Sequence, residues 1–395
     1  MSWFECMRNL KVKINLIYQI LLFGIVGFFG KTDNSLLKFS DFLKIYYREG
    51  RRSAVDVFCE KYLIRQYRLR TRVKLGGASI SFFRKFEPIF SNQLKEKLKS
   101  QMPTKTRILL MREGAMGDVI MMTPIVRELY LLRNGNVDID VMTSCGGVFK
   151  GNPYVKSVIS IKNGRNSISS YDAVFDLNGT YERDSSEHPV DVYARHTFGM
   201  HVFSKKLDIF FNDQDLRSVK EKLAGISAPY LVCHKPNHNW PNRNLDNEFW
   251  TDFVESLQKS TGYSVVIIGA SGDYGFDRIN TIYDHRGFYD IQETAALIEM
   301  SAGFVGVDAG PSHIAAATNA PVFTFYTCAH HDVRKPLRAS GVFVPITPDV
   351  DCYGCMQRSP FPRVAYFCER GDNICVKSFS IEKSVKLISE ALKAG

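Results

Sequence analysis

The chain has 395 residues, of which 45% are apolar and 23% are charged. This composition is ordinary for a folded globular protein and excludes disorder over most of the chain. The length exceeds what one hydrophobic core normally serves, so we expect two domains and an extension. The formal net charge is +10, which favours an anionic partner.

The positive charge is concentrated near the start of the chain. Residues 1–106 hold 21 Lys and Arg against 8 Asp and Glu. We expect 1–105 to be a basic, mainly helical extension that meets an anionic membrane surface, binds nucleic acid or is simply solvated. The apolar run 14–29 is short for a spanning helix and contains Asn15 and Gln19. It therefore indicates either an in-plane anchor or a helix packed on the protein itself.

Short apolar runs alternate with helical spacing from residue 106 onward. In the first half, strands are predicted at 107–112, 137–142, 155–161 and 173–177, and a helix at 119–132. In the second half, strands are predicted at 230–234, 264–269, 303–307 and 322–326, with helices at 247–260, 291–301 and 311–318. This rhythm is typical of doubly wound parallel sheets. We expect two such domains, 106–225 and 226–395, which meet near 212–228 and enclose a ligand cleft.

Two turns between a strand and a helix carry candidate chemistry. In Gly114–Asp118 (GAMGD), two glycines allow a close backbone approach, and Asp118 lies at the helix start, where it either caps the helix or faces a ligand. In Asp308–His313 (DAGPSH), Pro311 suits the first helical turn, and the backbone N–H groups suit a diphosphate. The same pattern also fits a well-capped helix that packs closely on its sheet.

Together the two segments resemble the signatures of the heptosyltransferases, family nine of the glycosyltransferases. GAMGDVIMMTPIVRELY is similar to the amino-terminal signature of that family, and VGVDAGPSHIAAATNAPVFTFY is similar to its donor-site signature. HPVDVYARHTFGM and residues 243–250 are similar to two further segments. The resemblance covers about 106–392 and leaves 1–105 without a counterpart in the short members of the family.

The resemblance implies a GT-B fold, in which 106–225 is the Rossmann-like acceptor domain and 226–395 the nucleotide-sugar donor domain. Asp118 would be the general base of an inverting transfer that needs no metal. Thr123 and Arg127 would lie on the acceptor side. The residues implied in donor binding are Gly117, Arg243, Asp273, Asp308, Ala309, Gly310, Ser312 and His313.

Two of these positions depart from the family pattern. Arg243 stands where the family has a lysine before a Trp-Pro pair, and a different register would use Lys235 or His238 beside Trp240 and Pro241. The positive charge is kept, but a forked guanidinium replaces a point charge. Asp273 stands where the family has a ribose-binding Glu, and it is equally typical of a turn.

Four cysteines near the carboxyl terminus have metal-like spacing. In Cys352-x2-Cys355-x12-Cys368-x6-Cys375, the thiolates suit structural Zn or Fe, while unbound thiols or a disulfide remain alternatives. The autotransporter-modifying heptosyltransferases are similar in carrying a four-cysteine iron site. No cofactor is expected for catalysis itself.

The implied function is transfer of a sugar, heptose from ADP-heptose, to a glycolipid or glycan acceptor during synthesis of lipopolysaccharide or a related surface glycan. The implied location is the bacterial cytoplasm, at the inner membrane's cytoplasmic face. One alternative is a heptosyltransferase that modifies a protein. Another is a protein that binds nucleotide sugars or nucleic acid without turnover, for which Tyr and Arg mixed over 43–72 would supply stacking and charge.

Overall fold

A computed structural model describes most of the chain from residue 106 onward. It covers 106–161, 168, 170–183, 186–198, 202, 204–235, 241–273, 282–358, 368 and 370–394, together with the backbone of 70–75 and 78–83. The apolar run 14–29 and the Tyr- and Arg-rich segment up to residue 69 lie outside the described residues. Among the helices within these ranges, none has the length and apolar character needed to cross a bilayer.

The first sheet has six strands in the order β2-β1-β6-β3-β4-β5. Strands β3 to β6 are mutually parallel, whereas β1 is antiparallel to both β2 and β6. The parallel strands therefore have the order of one half of a Rossmann fold, with β3 at its centre. The strands are β1 Arg70–Leu75, β2 Ala78–Phe83, β3 Thr106–Met111, β4 Val137–Met142, β5 Ser157–Ile159 and β6 Ala173–Asp176.

Strands β1 and β2 correct the expectation of a mainly helical extension at these twelve residues. Both lie before residue 106, yet β1 pairs with β6 and so widens the first sheet across the predicted domain boundary. Val73 and Ile80 are register partners. Two consecutive glycines separate the strands in the sequence, a pattern typical of a hairpin.

Four helices lie between β3 and β7 within the described residues. They are α1 Met116–Ile120, α2 Thr123–Leu132, α3 Pro189–Phe198 and α4 Asp213–Lys222. The single helix predicted at 119–132 is divided into α1 and α2. Pro124 has no N–H to donate to the Ile120 carbonyl, which instead accepts the Thr123 hydroxyl at 2.8 Å.

The second sheet has six parallel strands in the order β12-β11-β10-β7-β8-β9. This is the full Rossmann order, in which the strand order reverses between β7 and β10. Among the strands predicted in the second half, 230–234 and 303–307 have the predicted bounds. The strands are β7 Tyr230–His234, β8 Ser264–Ile268, β9 Ile282–Asp284, β10 Gly303–Val307, β11 Val322–Phe325 and β12 Phe343–Ile346.

The second sheet is flanked by helices that begin and end at recognisable caps. The Asp246 side chain accepts the Phe249 N–H at 2.7 Å at the start of the first of them, and Gly262 follows its end at a φ of 72°. The helices are α5 Asn247–Thr261, α6 Ile291–Glu299, α7 Gly310–Ala316, α8 His331–Arg334, α9 Cys355–Arg358 and α10 Ile381–Ala394. The expected α/β class with two Rossmann-like domains is confirmed.

Helix α4 links the two domains and packs on the second one. The Ser218 hydroxyl and the Lys222 ammonium group both donate to Glu293 of α6, each at 2.6 Å. The predicted boundary near 225 lies between β6, a strand of the first sheet, and β7, a strand of the second. In space, however, α4, which precedes that boundary, lies against a helix of the second domain.

Three aromatic rings pack together in a hydrophobic core of the second domain. Trp250, Phe253 and Phe325 are each no more than 1% exposed, and their ring centroids lie 5.2 to 5.8 Å apart in edge-to-face contacts. Edge-to-face packing of this kind adds to the free energy of burial.

We expect Phe253→Ala to lower the free energy of unfolding by about 3–5 kcal/mol, because it leaves a cavity between two immobile rings. Urea titration followed by tryptophan fluorescence measures the change. Phe288, which is 53% exposed, supplies the matched control, and Phe288→Ala should cost about 0.5 kcal/mol or less. Equal losses in the two variants would contradict this description of the core.

Candidate active site at the seam between the sheets

The two predicted motif loops follow the central strands of the two sheets. Gly114–Asp118 comes after β3, and Asp308–His313 comes after β10. Each strand borders the point where the strand order of its sheet reverses, at β3/β6 in the first sheet and at β7/β10 in the second. Ligands of open α/β sheets bind at these positions, outside the carboxyl ends of the strands.

The Asp118 carboxylate is held by three donors. The Tyr181 hydroxyl donates to Oδ1 at 2.6 Å, and the Ala115 N–H donates to Oδ2 at 3.0 Å. The Arg112 guanidinium forms an ion pair with Oδ2. The side chain is 16% exposed, so it is nearly buried but still reaches the seam.

Arg112 is the cation that balances this site. Its guanidinium bonds to Asp118 and, at 2.8 Å, to Glu182, while its Nη1 donates to the Leu177 carbonyl at 3.2 Å. Burial alone raises the pKa of Asp118, but the charge of Arg112, the Tyr181 hydrogen bond and the charge of Arg334 outweigh burial and lower the net pKa. Asp118 is therefore ionised at neutral pH.

Ser312 and His313 are the two buried polar side chains of the second loop. The single proton of the Ser312 hydroxyl faces the carbonyls of Val307 and Ala309, at 2.5 and 2.9 Å, and the hydroxyl oxygen accepts the Ala309 N–H at 3.3 Å. Ser312 therefore shapes the loop and has little capacity left for a ligand. Burial lowers the pKa of His313, and within the described residues its buried Nδ1 has no hydrogen-bond partner.

Arg243 lies beside this loop, as the resemblance implies. It ends the short 3₁₀ turn Pro241–Arg243. Its Nη2 is 3.1 Å from the Asp308 carboxylate, and its Nη1 is 3.4 Å from the Asp308 carbonyl. Lys235, the alternative in the other register, is buried at the end of β7, and His238 and Trp240 lie outside the described residues.

The two loops contact each other across the seam. A Cβ atom placed on Gly117 would lie 3.0 Å from the His313 ring and 3.5 Å from the Gly310 Cα. One placed on Gly310 would overlap Met116. The glycines at these two positions therefore permit the approach that brings Asp118 and the second loop to one place.

Asp273 follows β8, and its described hydrogen bonds lie within its own loop and to Arg286. Its carboxylate accepts the Ala270 N–H at 2.8 Å within its own loop, and its carbonyl accepts Arg286 at 2.7 Å. The described geometry is that of a turn residue, the alternative to a ribose contact. Residues 274–281, which follow it, lie outside the described part of the chain.

Thr123 and Arg127, the expected acceptor-side residues, make their described contacts within the first domain. Both are buried. Thr123 accepts the Asp208 N–H at 2.9 Å, while Arg127 forms an ion pair with Asp208 and donates to the carbonyls of Ser204 and Lys206. These contacts occupy the hydrogen-bonding groups of both side chains that a sugar hydroxyl would otherwise use. The geometry therefore favours a structural role, in which the two residues hold 204–208 against α2.

The four tail cysteines converge with a fifth, Cys328. Burial raises the pKa of Cys355 to about 12, and the neighbouring Cys328, Cys352 and Cys368 add to the shift. Cys375 has the same four sulfur neighbours. The sulfur donors suit Zn or Fe chemically, yet among the described residues no group of three or more potential ligands is placed to hold a metal ion. The expected metal site thus does not fit this arrangement of the sulfurs.

Sequence reasoning missed Arg112, Tyr181, Glu182 and Arg334. The first three had a usable signal, since they follow the two central strands β3 and β6 of the first sheet, whose loops must meet at its switch point. Arg334 follows β11 by several residues and had no such signal.

These observations define the fold class of the protein: two Rossmann-like domains that meet at the carboxyl ends of their strands, which is the GT-B arrangement. The fold is shared with a glycosyl transferase family 9 protein from Veillonella parvula, at 17% identity and a TM-score of 0.60 over 74% of this chain and 99% of that one. It is also shared with the iron-containing dodecameric glycosyltransferase TibC from E. coli, at 15% identity and a TM-score of 0.58 over 82% of each chain.

Residues 169–359 match the sequence model of Glycosyltransferase family 9 (heptosyltransferase), which confirms the predicted resemblance to that family. The curated relatives include Lipopolysaccharide heptosyltransferase 3 of Escherichia coli, 27% identical over 122 residues, and its K12 counterpart, 31% identical over 121 residues. These alignments cover 29% and 28% of this chain, which spans 35% of each relative's length.

We expect Arg112→Met to destabilise the protein by about 3–5 kcal/mol, because it leaves Asp118 and Glu182 buried without their cation. Adding Glu182→Gln should recover part of the loss. Urea titration measures both variants. Arg107, which lies on β3 and is 45% exposed at its side chain, is the control, and Arg107→Met should cost about 1 kcal/mol or less.

Proposed function

We propose that the chain is an inverting, metal-independent glycosyltransferase that moves a sugar, heptose from ADP-heptose, to an acceptor hydroxyl in lipopolysaccharide or a related surface glycan. The observation that carries the proposal is the contact between the Asp118 loop and the Asp308–His313 loop at the seam. The names of the curated relatives support the sugar and the glycan. A neighbour of the same fold was solved with ADP-D-beta-D-heptose, which supports the donor.

Asp118 is the proposed general base. A carboxylate has about four lone-pair positions, and the described donors Tyr181, Arg112 and Ala115 fill three of them. The fourth position, on Oδ1, is left for the acceptor hydroxyl. The same donors keep the carboxylate ionised and oriented, which a base must be before it can take a proton.

The proposed step is a single displacement. The acceptor oxygen forms a bond to the anomeric carbon as that carbon's bond to the diphosphate oxygen breaks. The hydroxyl proton moves to Asp118, and the nucleoside diphosphate departs with the bonding electrons. Attack from the face opposite the leaving group inverts the anomeric centre.

The leaving diphosphate would be held by the second loop. The backbone N–H groups of Gly310 and His313 are the proposed donors, because Pro311 has no N–H and the Ser312 N–H donates to the Ala309 carbonyl at 3.1 Å. Ala309 and Gly117 permit close approach. The carboxylate of Asp308 would repel a diphosphate, but Arg243 pairs with it at 3.1 Å and supplies the compensating charge. The proposal assigns stabilisation of the leaving diphosphate to the backbone N–H groups of the loop in place of a divalent cation.

The acceptor and its location follow from the same proposal. A glycolipid acceptor lies at the inner membrane's cytoplasmic face, and an anionic surface there would attract the basic residues of 1–105. The cysteine tail favours a second candidate, in which the acceptor is a protein.

We expect Asp118→Asn to lower kcat by about 10²–10⁴-fold, because the amide cannot take the acceptor proton. Release of ADP from ADP-heptose in the presence of acceptor measures kcat. The thermal shift produced by the donor should remain, because the second loop is unchanged.

Asp252→Asn, at an exposed carboxylate on α5, is the matched control and should retain wild-type kcat. Turnover by Asp118→Asn at the wild-type rate would remove Asp118 as the base. Absence of turnover with any nucleotide sugar would instead favour a binding protein without catalysis.

The acceptor class is tested with radiolabelled donor and two acceptors, a truncated lipopolysaccharide core and a purified autotransporter passenger domain. Label in the lipid fraction supports the first candidate. Label confined to the protein supports the second.

A further inference from the structure

Arg334 is a buried cation that the second domain presents to the first. It is the last residue of α8 and is 4% exposed. Its guanidinium carbon lies 4.4 Å from the centre of the Tyr181 ring. Within the described residues, the buried Nε has no hydrogen-bond partner. A guanidinium in this position depends on the ring and on nearby carboxylates for compensation.

The segment that carries Arg334 is fastened to the first domain. His188 Nε2 lies 3.0 Å from the Lys335 carbonyl, and the Leu207 N–H donates to the Leu337 carbonyl at 3.2 Å. His188 Nδ1 accepts the Val190 N–H, so its partners assign the proton to Nε2. Burial lowers the pKa of His188 to about 3, so this link persists as a neutral hydrogen bond.

Tyr181 transmits the contact to the proposed base. Its ring faces Arg334 of the second domain, and Arg112 of the first domain lies 5.3 Å from the same ring. Its hydroxyl donates to Asp118 at 2.6 Å. Separation of the domains would remove Arg334 from the ring but leave Arg112 in place.

We propose that Arg334 is a positioning residue that holds the Tyr181 hydroxyl against Asp118, so that the proposed base is assembled only when the two domains are packed together. The inference rests on the proposed function, because only there does Asp118 take a proton. The inference makes Arg334, in the donor domain, a positioning residue for the proposed base Asp118, in the acceptor domain.

The charged and titratable groups around Asp118 determine what a pH profile would report. They are Arg112 at the end of β3, Tyr181 and Glu182 after β6, Tyr193 on α3, His313 on α7 and Arg334 on α8. The charge of Arg334 lowers the pKa of Asp118. Its removal therefore raises that pKa, and the acidic limb of the kcat profile moves to higher pH.

The first experiment compares the kcat–pH profiles of wild type, Arg334→Met and Arg334→Lys. For Arg334→Met we expect the acidic limb to move up by about 0.5–1 pH unit. Arg334→Lys should keep the limb within a few tenths of a unit of wild type, because it retains the charge. The control Lys335→Met removes a neighbouring charge and should leave the limb unchanged.

A second experiment needs no substrate. Arg334→Met, Tyr181→Leu and the double variant are compared by their urea midpoints, and the two substitutions should be less than additive because they remove the same contact. Additive effects, or an unmoved acidic limb in an active Arg334→Met, would overturn the inference and leave the proposed function intact. Wild-type protein without turnover on any nucleotide sugar would overturn the proposed function, even where the coupling is present.

Discussion

The ion pair between Arg112 and Asp118 is the constraint on which the site depends. Two carboxylates, Asp118 and Glu182, lie in a largely water-excluded place, and neither is tolerable there without a cation. Arg112 meets both because it follows the central strand of the first sheet, while Glu182 follows the strand beside it. The sheet order is therefore what makes a buried, ionised carboxylate possible at this position.

In the second domain, too, an arginine pairs with a carboxylate in the loop after a central strand. Arg243 neutralises Asp308 beside a loop whose own serine is used internally. The two halves differ in which polar groups remain available to a ligand. In the proposed function, the first half supplies a carboxylate with one acceptor position remaining, and the second supplies the backbone N–H groups of Gly310 and His313. A proton acceptor on one side and a cradle for an anion on the other are the two requirements of sugar transfer from a nucleotide.

The close approach of the two halves depends on small residues. Gly117 and Gly310 face each other, and a side chain at either position would separate the loops. Around them the seam is held by neutral or balanced contacts, such as His188 with the Lys335 carbonyl and Gln292 with the Gly147 carbonyl at 2.9 Å.

The sequence by itself determined the alternation of strands and helices, the two glycine loops and their place after central strands, because these are local properties of pattern and backbone freedom. It also carried the resemblance that pointed to Asp118 and Asp308–His313. Only the tertiary structure decided which side chains contact Asp118 and Tyr181. Arg112, Tyr181 and Arg334 come from three separate parts of the chain, and their meeting depends on strand order and domain packing. For the same reason the contacts of Thr123 and Arg127 could not be predicted from the sequence, because their partner Asp208 lies some 80 residues further along the chain.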